Sequence, residues 1–304
     1  MNLRFPFILL VLFSAIGDAM SLQANDLMQQ VNSKFADSSG VKIHYAQTGS
    51  GPLIVFIHGF PDFWYGWHHQ MQGLSDSYTV AAMDTRGYNL SDRPEDAEQY
   101  DMKFLVGDVA AVIRAEGQEK AIIVGHDWGG AIAWAFAASL PQMTDKLIIV
   151  NLPHMAGLAR ELMNEDSAQH RNSAYARIFQ RDDSEKALNP KILANIVAPK
   201  NPELRAIYET AFEKSSIPSM MNYYRRNYPR QPYQAPELPK IQMPVLQFHG
   251  LSDTALLPPA LNNTWEHLDQ DWTLVTLPGA GHWAHHERAD MVTETMRWWL
   301  KMRQ

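Results

Sequence analysis

Short apolar runs separated by glycine-rich and polar breaks punctuate most of the chain. Residues 41–45 (VKIHY) alternate apolar and polar positions ahead of Gly49, Ser50, Gly51 and Pro52, which predicts a half-exposed strand and a loop after a polar connector. Residues 53–57 (LIVFI) are continuously apolar, as suits a strand covered on both faces, and they end in His58, Gly59, Phe60 and Pro61. A third run, 79–83, leads into Asp84, Thr85 and Arg86. Apolar residues at 102, 105, 106, 109, 112 and 113 then have the spacing of an amphipathic helix. Residues 121–124 stop abruptly at Gly125, and an Ala-rich helical pattern starts after Gly129 and Gly130. A further buried strand, 146–150, closes at Asn151. Alternation of this kind implies crossovers and a mostly parallel sheet.

Between Asn151 and Met243 the rhythm breaks. This stretch lacks buried-strand signals but contains helical pieces and a proline-rich end at Pro229, Pro232, Pro236 and Pro239. A structureless loop of that length is improbable in a compact domain, so a helical insertion is expected. The rhythm resumes with strands at 245–249 and 272–277, and a last helix at 291–300.

Composition adds an address and removes some partners. The net charge of -7 argues against nucleic acid or an anionic membrane surface, both of which need a basic face. Cysteine is absent, which excludes a thiolate nucleophile or a thiolate metal site. Arg4, an apolar run from Phe5 to Ile16, and small residues at Gly17, Ala19, Ser21 and Ala24 resemble a secretory signal peptide over residues 1–24, cleaved between Ala19 and Ala24. The competing reading is a retained anchor, for which the run is short. A secreted or periplasmic protein with no stable membrane anchor is expected.

In an open parallel sheet, reacting groups gather at the carboxyl ends of strands. Asp127, Asp253 and His282 each directly follow an expected strand. Asp127 stands where a serine occupies the G-x-S-x-G nucleophile elbow, with glycines two before and two after it. A plain strand-to-helix turn with an N-capping aspartate explains that motif in isolation, and a turn aspartate explains Asp253. The chain order of nucleophile, acid and histidine favours a catalytic trio. A carboxylate at the elbow is a weak nucleophile toward acyl groups, but it displaces a leaving group at a positioned saturated carbon.

Through HGFPDFWYGW (58–67), DTRGYNLSDRP (84–94), GHDWGG (125–130), NLPH (151–154), HGLSD (249–253) and GAGHW (279–283), the sequence resembles the α/β-hydrolase superfamily and, within it, the epoxide hydrolases. The resemblance covers residues 41–299. It implies a central, mostly parallel sheet flanked by helices. The core would comprise 25–151 and 243–304, with a helical cap at 152–242 inserted after the sixth strand. It also implies Asp127 as nucleophile, His282 as the base that activates water, and Asp253 as its orienter. The backbone N–H groups of Phe60 and Trp128 would form the oxyanion hole. Tyr224, within Asn222-Tyr223-Tyr224-Arg225, matches the family's aromatic-Tyr-Arg motif, and Tyr175, five residues before Gln180, matches its Y-x-x-x-F-Q. These two would be the ring-opening acids, with His58, Pro61, Trp128 and Phe179 around the substrate.

The implied reaction takes a small apolar epoxide and water, with no cofactor and no metal. Packing competes for the tyrosines, because Tyr223, Tyr228 and Tyr233 lie nearby. Metal ligation competes for His282, since His285, His286 and Glu287 follow closely; the first two read as helix-start or cleft-rim residues. Two other functions stay open: a haloalkane dehalogenase, which shares the aspartate elbow and following tryptophan, and a non-catalytic exported binding protein.

Overall fold

A computed structural model describes residues 27–304, so the leader expected over residues 1–24 lies outside the described residues. Eight strands form one sheet: β1 (Asn32–Ser38), β2 (Val41–Thr48), β3 (Leu53–Ile57), β4 (Thr79–Met83), β5 (Ala121–His126), β6 (Thr144–Val150), β7 (Val245–Gly250) and β8 (Trp272–Leu277). Their order across the sheet is β1-β2-β4-β3-β5-β6-β7-β8. The β1–β2 and β2–β4 pairs are antiparallel, and every later pair is parallel. All residues of β3, β5 and β7 are buried, which is why β3 and the start of β5 read as apolar runs, while β7 carries buried Gln247 and His249 among its apolar residues.

Strand β1 corrects the polar connector expected before residue 41. Ala36 alone among its seven residues is buried, so its sequence carries little of the apolar signal that marks the central strands. Register with β2, from Asn32 opposite Gln47 to Ser38 opposite Val41, is set by the turn instead. Ser39 and Gly40 both have positive φ, as a two-residue hairpin turn that follows strand twist requires.

Helices cover both faces. α1 (His68–Leu74) was not evident in the pattern, because its buried side includes Gln70 beside Met71 and Leu74. The Gln70 side-chain amide donates to the His285 carbonyl and to Thr293 Oγ1, so a polar side chain holds a core position. α2 (Met102–Ala115) follows the expected amphipathic spacing. α3 (Trp128–Ser139) buries nine of its twelve residues, which accounts for its small, apolar composition on every side.

The chain between β6 and β7 forms α4 (Met155–Met163), α5 (Ala168–Asn172), α6 (Ala174–Phe179), α7 (Pro190–Val197), α8 (Pro202–Glu213) and α9 (Ile217–Asn227). Asn189, Asn201 and Ser216 cap α7, α8 and α9 by accepting a backbone N–H, each with a proline in the first turn. After β8 come α10 (Ala284–Glu287) and α11 (Ala289–Lys301), whose apolar residues Val292, Met296, Trp299 and Leu300 face the core. Among the described residues, no helix is long and apolar enough to cross a membrane.

Candidate active site

The site forms where β5, β7 and β8 end. At the tip of β5, Asp127 adopts φ 51° and ψ −120° before α3 begins. Such a backbone state costs a non-glycine residue about 1–3 kcal/mol and persists only where the surroundings enforce it. Here the enforcement is steric. A Cβ on Gly125 would meet the Gly129 carbonyl oxygen at 2.2 Å, and one on Gly129 would meet the Ile57 carbonyl oxygen at 2.1 Å. Strand, turn and helix can approach this closely only because both positions are glycine.

The Asp127 carboxylate projects into this corner with its Oδ1 accepting the Phe60 N–H at 2.8 Å. Trp128 opens α3, so its N–H is one of the donors that a helix start leaves without an intrahelical acceptor. Burial alone would raise the Asp127 carboxyl. Hydrogen bonding and charge from His282, with the Phe60 N–H, outweigh it and hold the group below the usual carboxylate range.

His282 joins the two aspartates. Its Nδ1 lies 2.9 Å from Asp253 Oδ2, and its Nε2 lies 3.5 Å from Asp127 Oδ2. Asp253 is fixed in turn: Oδ1 accepts the N–H groups of Ala255 and Leu256 at 2.8 and 3.0 Å, and Oδ2 accepts the Asn151 side-chain amide at 2.8 Å. Burial opposes its ionisation, but the charge of His282 and these donors bring Asp253 down to about 2. An ionised carboxylate only accepts, so Nδ1 of His282 carries a hydrogen. Burial likewise works against a charged His282 ring, yet the flanking carboxylates, Asp253 foremost, push it up to about 10. The His126 ring donates from Nε2 to the His282 carbonyl at 2.8 Å and so pins the loop that carries the base.

Facing Asp127 is a narrow pocket lined by Trp128, Leu152, Tyr175, Tyr224, Tyr228 and Leu256 among others. Tyr175 comes from α6 and Tyr224 from α9, with ring centroids 6.2 Å apart. Gln180 ties the end of α6 to α9, its side-chain amide donating to the Tyr228 and Tyr224 carbonyls at 2.8 and 3.3 Å. Burial raises both cavity phenols well above their usual value, and the negative charge of Asp127 adds to it. Both are therefore protonated at neutral pH. Tyr223, one residue away, points elsewhere and donates to the Arg86 carbonyl at 2.9 Å. Packing, the competing role for this tyrosine cluster, applies to Tyr223.

Three of the expected pocket residues sit differently. His58 is buried outside the cavity wall, where its Nδ1 donates to the Gly59 carbonyl and its Nε2 accepts the Thr85 N–H; its ring braces the loop. Pro61, which follows a cis peptide bond, is also outside the wall. Phe179 packs edge-on against Phe60 and Tyr224, with centroids 5.5 and 5.1 Å away, and so supports the phenol from behind. His285 and His286 do start a helix, but His285 is buried against Trp67 and His126 rather than placed at a rim.

Asn151 was not assigned a role from sequence. It bridges Asp253 to the Gly281 carbonyl, and its signal was available: a polar residue directly closing a strand, like Asp127. Asp62 had no such signal among the aromatic residues around it. It is buried, takes the Phe63 N–H and the Tyr208 hydroxyl on Oδ1, and burial pushes its carboxyl up to about 7.

A doubly covered parallel sheet, a strained elbow and an Asp–His–Asp trio at the strand ends define a hydrolase of the α/β type. The chain belongs to the alpha/beta hydrolase fold family, whose model matches residues 52–289. It is 33% identical over 319 residues to Epoxide hydrolase 1 of Caenorhabditis elegans, covering 98% of this chain and 78% of that one. It is also 33% identical to AB hydrolase superfamily protein YfhM of Bacillus subtilis (strain 168), covering 90% of this chain and 99% of that one. Among solved structures, the epoxide hydrolase of Bacillus megaterium in complex with an inhibitor superposes with a TM-score of 0.83 at 30% identity, over 88% of this chain and 100% of that one.

Proposed function

We propose that the chain hydrolyses epoxides to vicinal diols through an ester on Asp127. The observation that carries the reading is the opposition, across one apolar pocket, of an ionised carboxylate and two phenols, Tyr224 buried and Tyr175 partly so, that keep their protons. Relatives named as epoxide hydrolases support it. Opening an epoxide creates an alkoxide too basic to depart unprotonated, so the reaction needs an acid facing its nucleophile.

Asp127 Oδ2 attacks a ring carbon while Tyr224, assisted by Tyr175, protonates the ring oxygen as the carbon–oxygen bond breaks. Esterification removes the Asp127 charge, which weakens the hold of His282 on its proton. That proton returns to the tyrosinate. Neutral His282 then takes a proton from water, which attacks the ester carbonyl carbon, and the oxyanion is held by the N–H groups of Phe60 and Trp128. Collapse expels the diol alkoxide, which takes the proton of the re-formed carboxyl, and Asp127 and His282 end as they began.

In this reading the core comprises residues 25–151 and 243–304. Residues 152–242 form the cap that brings the phenols over the nucleophile, and residues 1–24 are a signal peptide directing export. N-terminal sequencing of protein recovered from the producing cells tests the leader, since an intact Met1 would refute cleavage. A single turnover in oxygen-18 water tests the chemistry. Label must enter Asp127 before any reaches diol, and its absence from the protein would exclude the ester. Halide release from bromoalkanes with no diol formed from epoxides would instead establish a dehalogenase.

A further inference from the structure

Beside the trio lies a second group of buried polar side chains that the proposed reaction does not use. Asp62 stands in the loop after β3, and His285 and His286 lie in α10. Asp62 Oδ2, His285 Nδ1 and His286 Nε2 are each buried without a hydrogen-bond partner. One ligand atom from each of the three residues lies within 4.8 Å of the other two, and Asp62 Oδ2 stands 3.9 Å from His286 Nε2. One unmatched buried atom costs about 1–3 kcal/mol, so three that converge on a single point call for an occupant.

The hydrogens near this point are committed elsewhere. The His286 ring hydrogen-bonds the Gly66 carbonyl, and because Nε2 has no partner the donor is Nδ1, which leaves Nε2 as a bare lone pair. That lone pair faces Asp62 Oδ2 at 3.9 Å, a second acceptor. Asp62 Oδ1 is already occupied by the Phe63 N–H and the Tyr208 hydroxyl, whose bonds orient the carboxylate. His126 spends its Nε2 hydrogen on the His282 carbonyl, so the Nδ1 of a ring 4.4 Å from His285 is bare as well. Once Asp62 is ionised, the group is rich in lone pairs and short of hydrogens, and a cation that binds there favours the ionised form.

The donor set selects the cation. Two imidazole nitrogens and one carboxylate oxygen suit zinc and its first-row neighbours, whereas calcium and magnesium prefer oxygen throughout. His285 Nδ1 and His286 Nε2 are the ring atoms left without a hydrogen-bond partner, and an imidazole nitrogen ligates through such a free lone pair. The Gly66 carbonyl on His286 and the Tyr208 hydroxyl on Asp62 are outer contacts of the kind that aim metal ligands. An ion between three atoms this close needs a contraction of under about 1 Å at each to reach the ~2.0–2.2 Å of zinc with nitrogen and oxygen.

We propose that Asp62, His285 and His286 bind one divalent first-row transition ion of the zinc type, with a fourth position left to water. Titration of metal-stripped protein with Co²⁺, whose visible absorption reports four-coordinate binding, followed by displacement with Zn²⁺, tests it. One equivalent per chain and a rise in Tm are expected. Asp62→Asn and His286→Gln should each weaken binding by about tenfold or more. Asp127→Asn, which removes a carboxylate from the neighbouring trio, should leave the stoichiometry at one. Anomalous diffraction from wild-type crystals grown with Zn²⁺ locates the ion without any substitution, and its peak should fall among the three named atoms. Absence of binding, binding that survives both ligand variants, loss of binding in Asp127→Asn, or a peak at the trio or on surface histidines overturns the proposal. In those cases water or a shared proton joins the three atoms.

Discussion

Replacing Asp127 by Asn removes one of the two carboxylates flanking His282 while nearly preserving the shape of the side chain. In the intact protein these carboxylates overcome burial and push His282 up to about 10. The charge removed lies 3.5 Å from Nε2, and both side chains are little exposed, at 12% and 10%, so solvent screens the pair weakly. Two unit charges about 4 Å apart at an effective dielectric constant near 20 interact by about 4 kcal/mol. Since 1.36 kcal/mol is tenfold in a protonation equilibrium, His282 should release its proton about a thousandfold more readily in Asp127→Asn. Its midpoint then falls to the neutral range, with the Asp253 charge still in place.

The variant matters because the proposed ester has the same charge at this position as asparagine. NMR titration of the ¹⁵N-labelled His282 ring, across the neutral and alkaline range, reads the shift directly. An unchanged midpoint in the variant, or a wild-type ring that titrates like a free histidine, would refute the claim that esterification unmasks the base. The sign also reaches stability. A folded value above the ordinary ~6.5 means the trio contributes fully below that pH, and the contribution is lost as pH rises toward about 10. Chemical denaturation of wild type should therefore show stability falling through this window, and Asp127→Asn should flatten the fall.

Tyr224→Phe should slow ester formation by about 10²–10⁴-fold, the usual worth of a general acid, while leaving ester hydrolysis intact in stopped-flow traces. Tyr175→Phe should slow the same step by less, and the double variant should form no ester. Asn151→Ala leaves Asp253 one donor short in a buried setting and should destabilise the fold by about 1–3 kcal/mol, measured by urea unfolding, with the larger kinetic loss in ester hydrolysis. At the elbow, Gly129→Ala should cost about 3 kcal/mol or more, because the new methyl meets the backbone of β3 and not a side chain that could move aside. Wild-type Tm for that variant would show that the turn has slack.

Legibility from sequence followed how strongly each element depends on burial. β3 and β5 are covered on both faces and are plain as apolar runs. β1 was missed because a hairpin turn with two positive-φ residues holds it, and such turns leave no trace in hydrophobic spacing. α1 was hidden by Gln70, a polar residue kept in the core by two hydrogen bonds from distant segments. The trio could be read because each member follows a strand, buried for Asp127 and Asp253, and the three fall in the order nucleophile, acid, histidine. The pocket wall could not, since His58 and Pro61 belong to a motif next to the site yet line none of it. Sequence proximity to a motif reports the loop, whereas only packing decides which face of the loop meets the substrate.

The two oxygens of Asp127 are not equivalent, and this difference bears on why an elbow built for serine chemistry also serves a carboxylate. Oδ1 is held by the Phe60 N–H, while Oδ2 points toward His282. In a serine hydrolase the oxyanion belongs to the substrate, so the donors of the hole wait for a carbonyl that must be placed correctly. With an aspartate, the carbonyl attacked by water is the nucleophile's own. The oxygen bound by Phe60 before the reaction can then remain on that donor through esterification and become the oxyanion when water adds. No donor moves between the half-reactions, which is electrostatic preorganisation in its least demanding form. The strained backbone at φ 51° contributes by fixing where the carboxyl carbon lies, so that water activated by His282 approaches a carbon already seated against its hole. Moving the hole by a loop change at Phe60 should therefore slow both half-reactions, whereas a change at Tyr224 slows only the first.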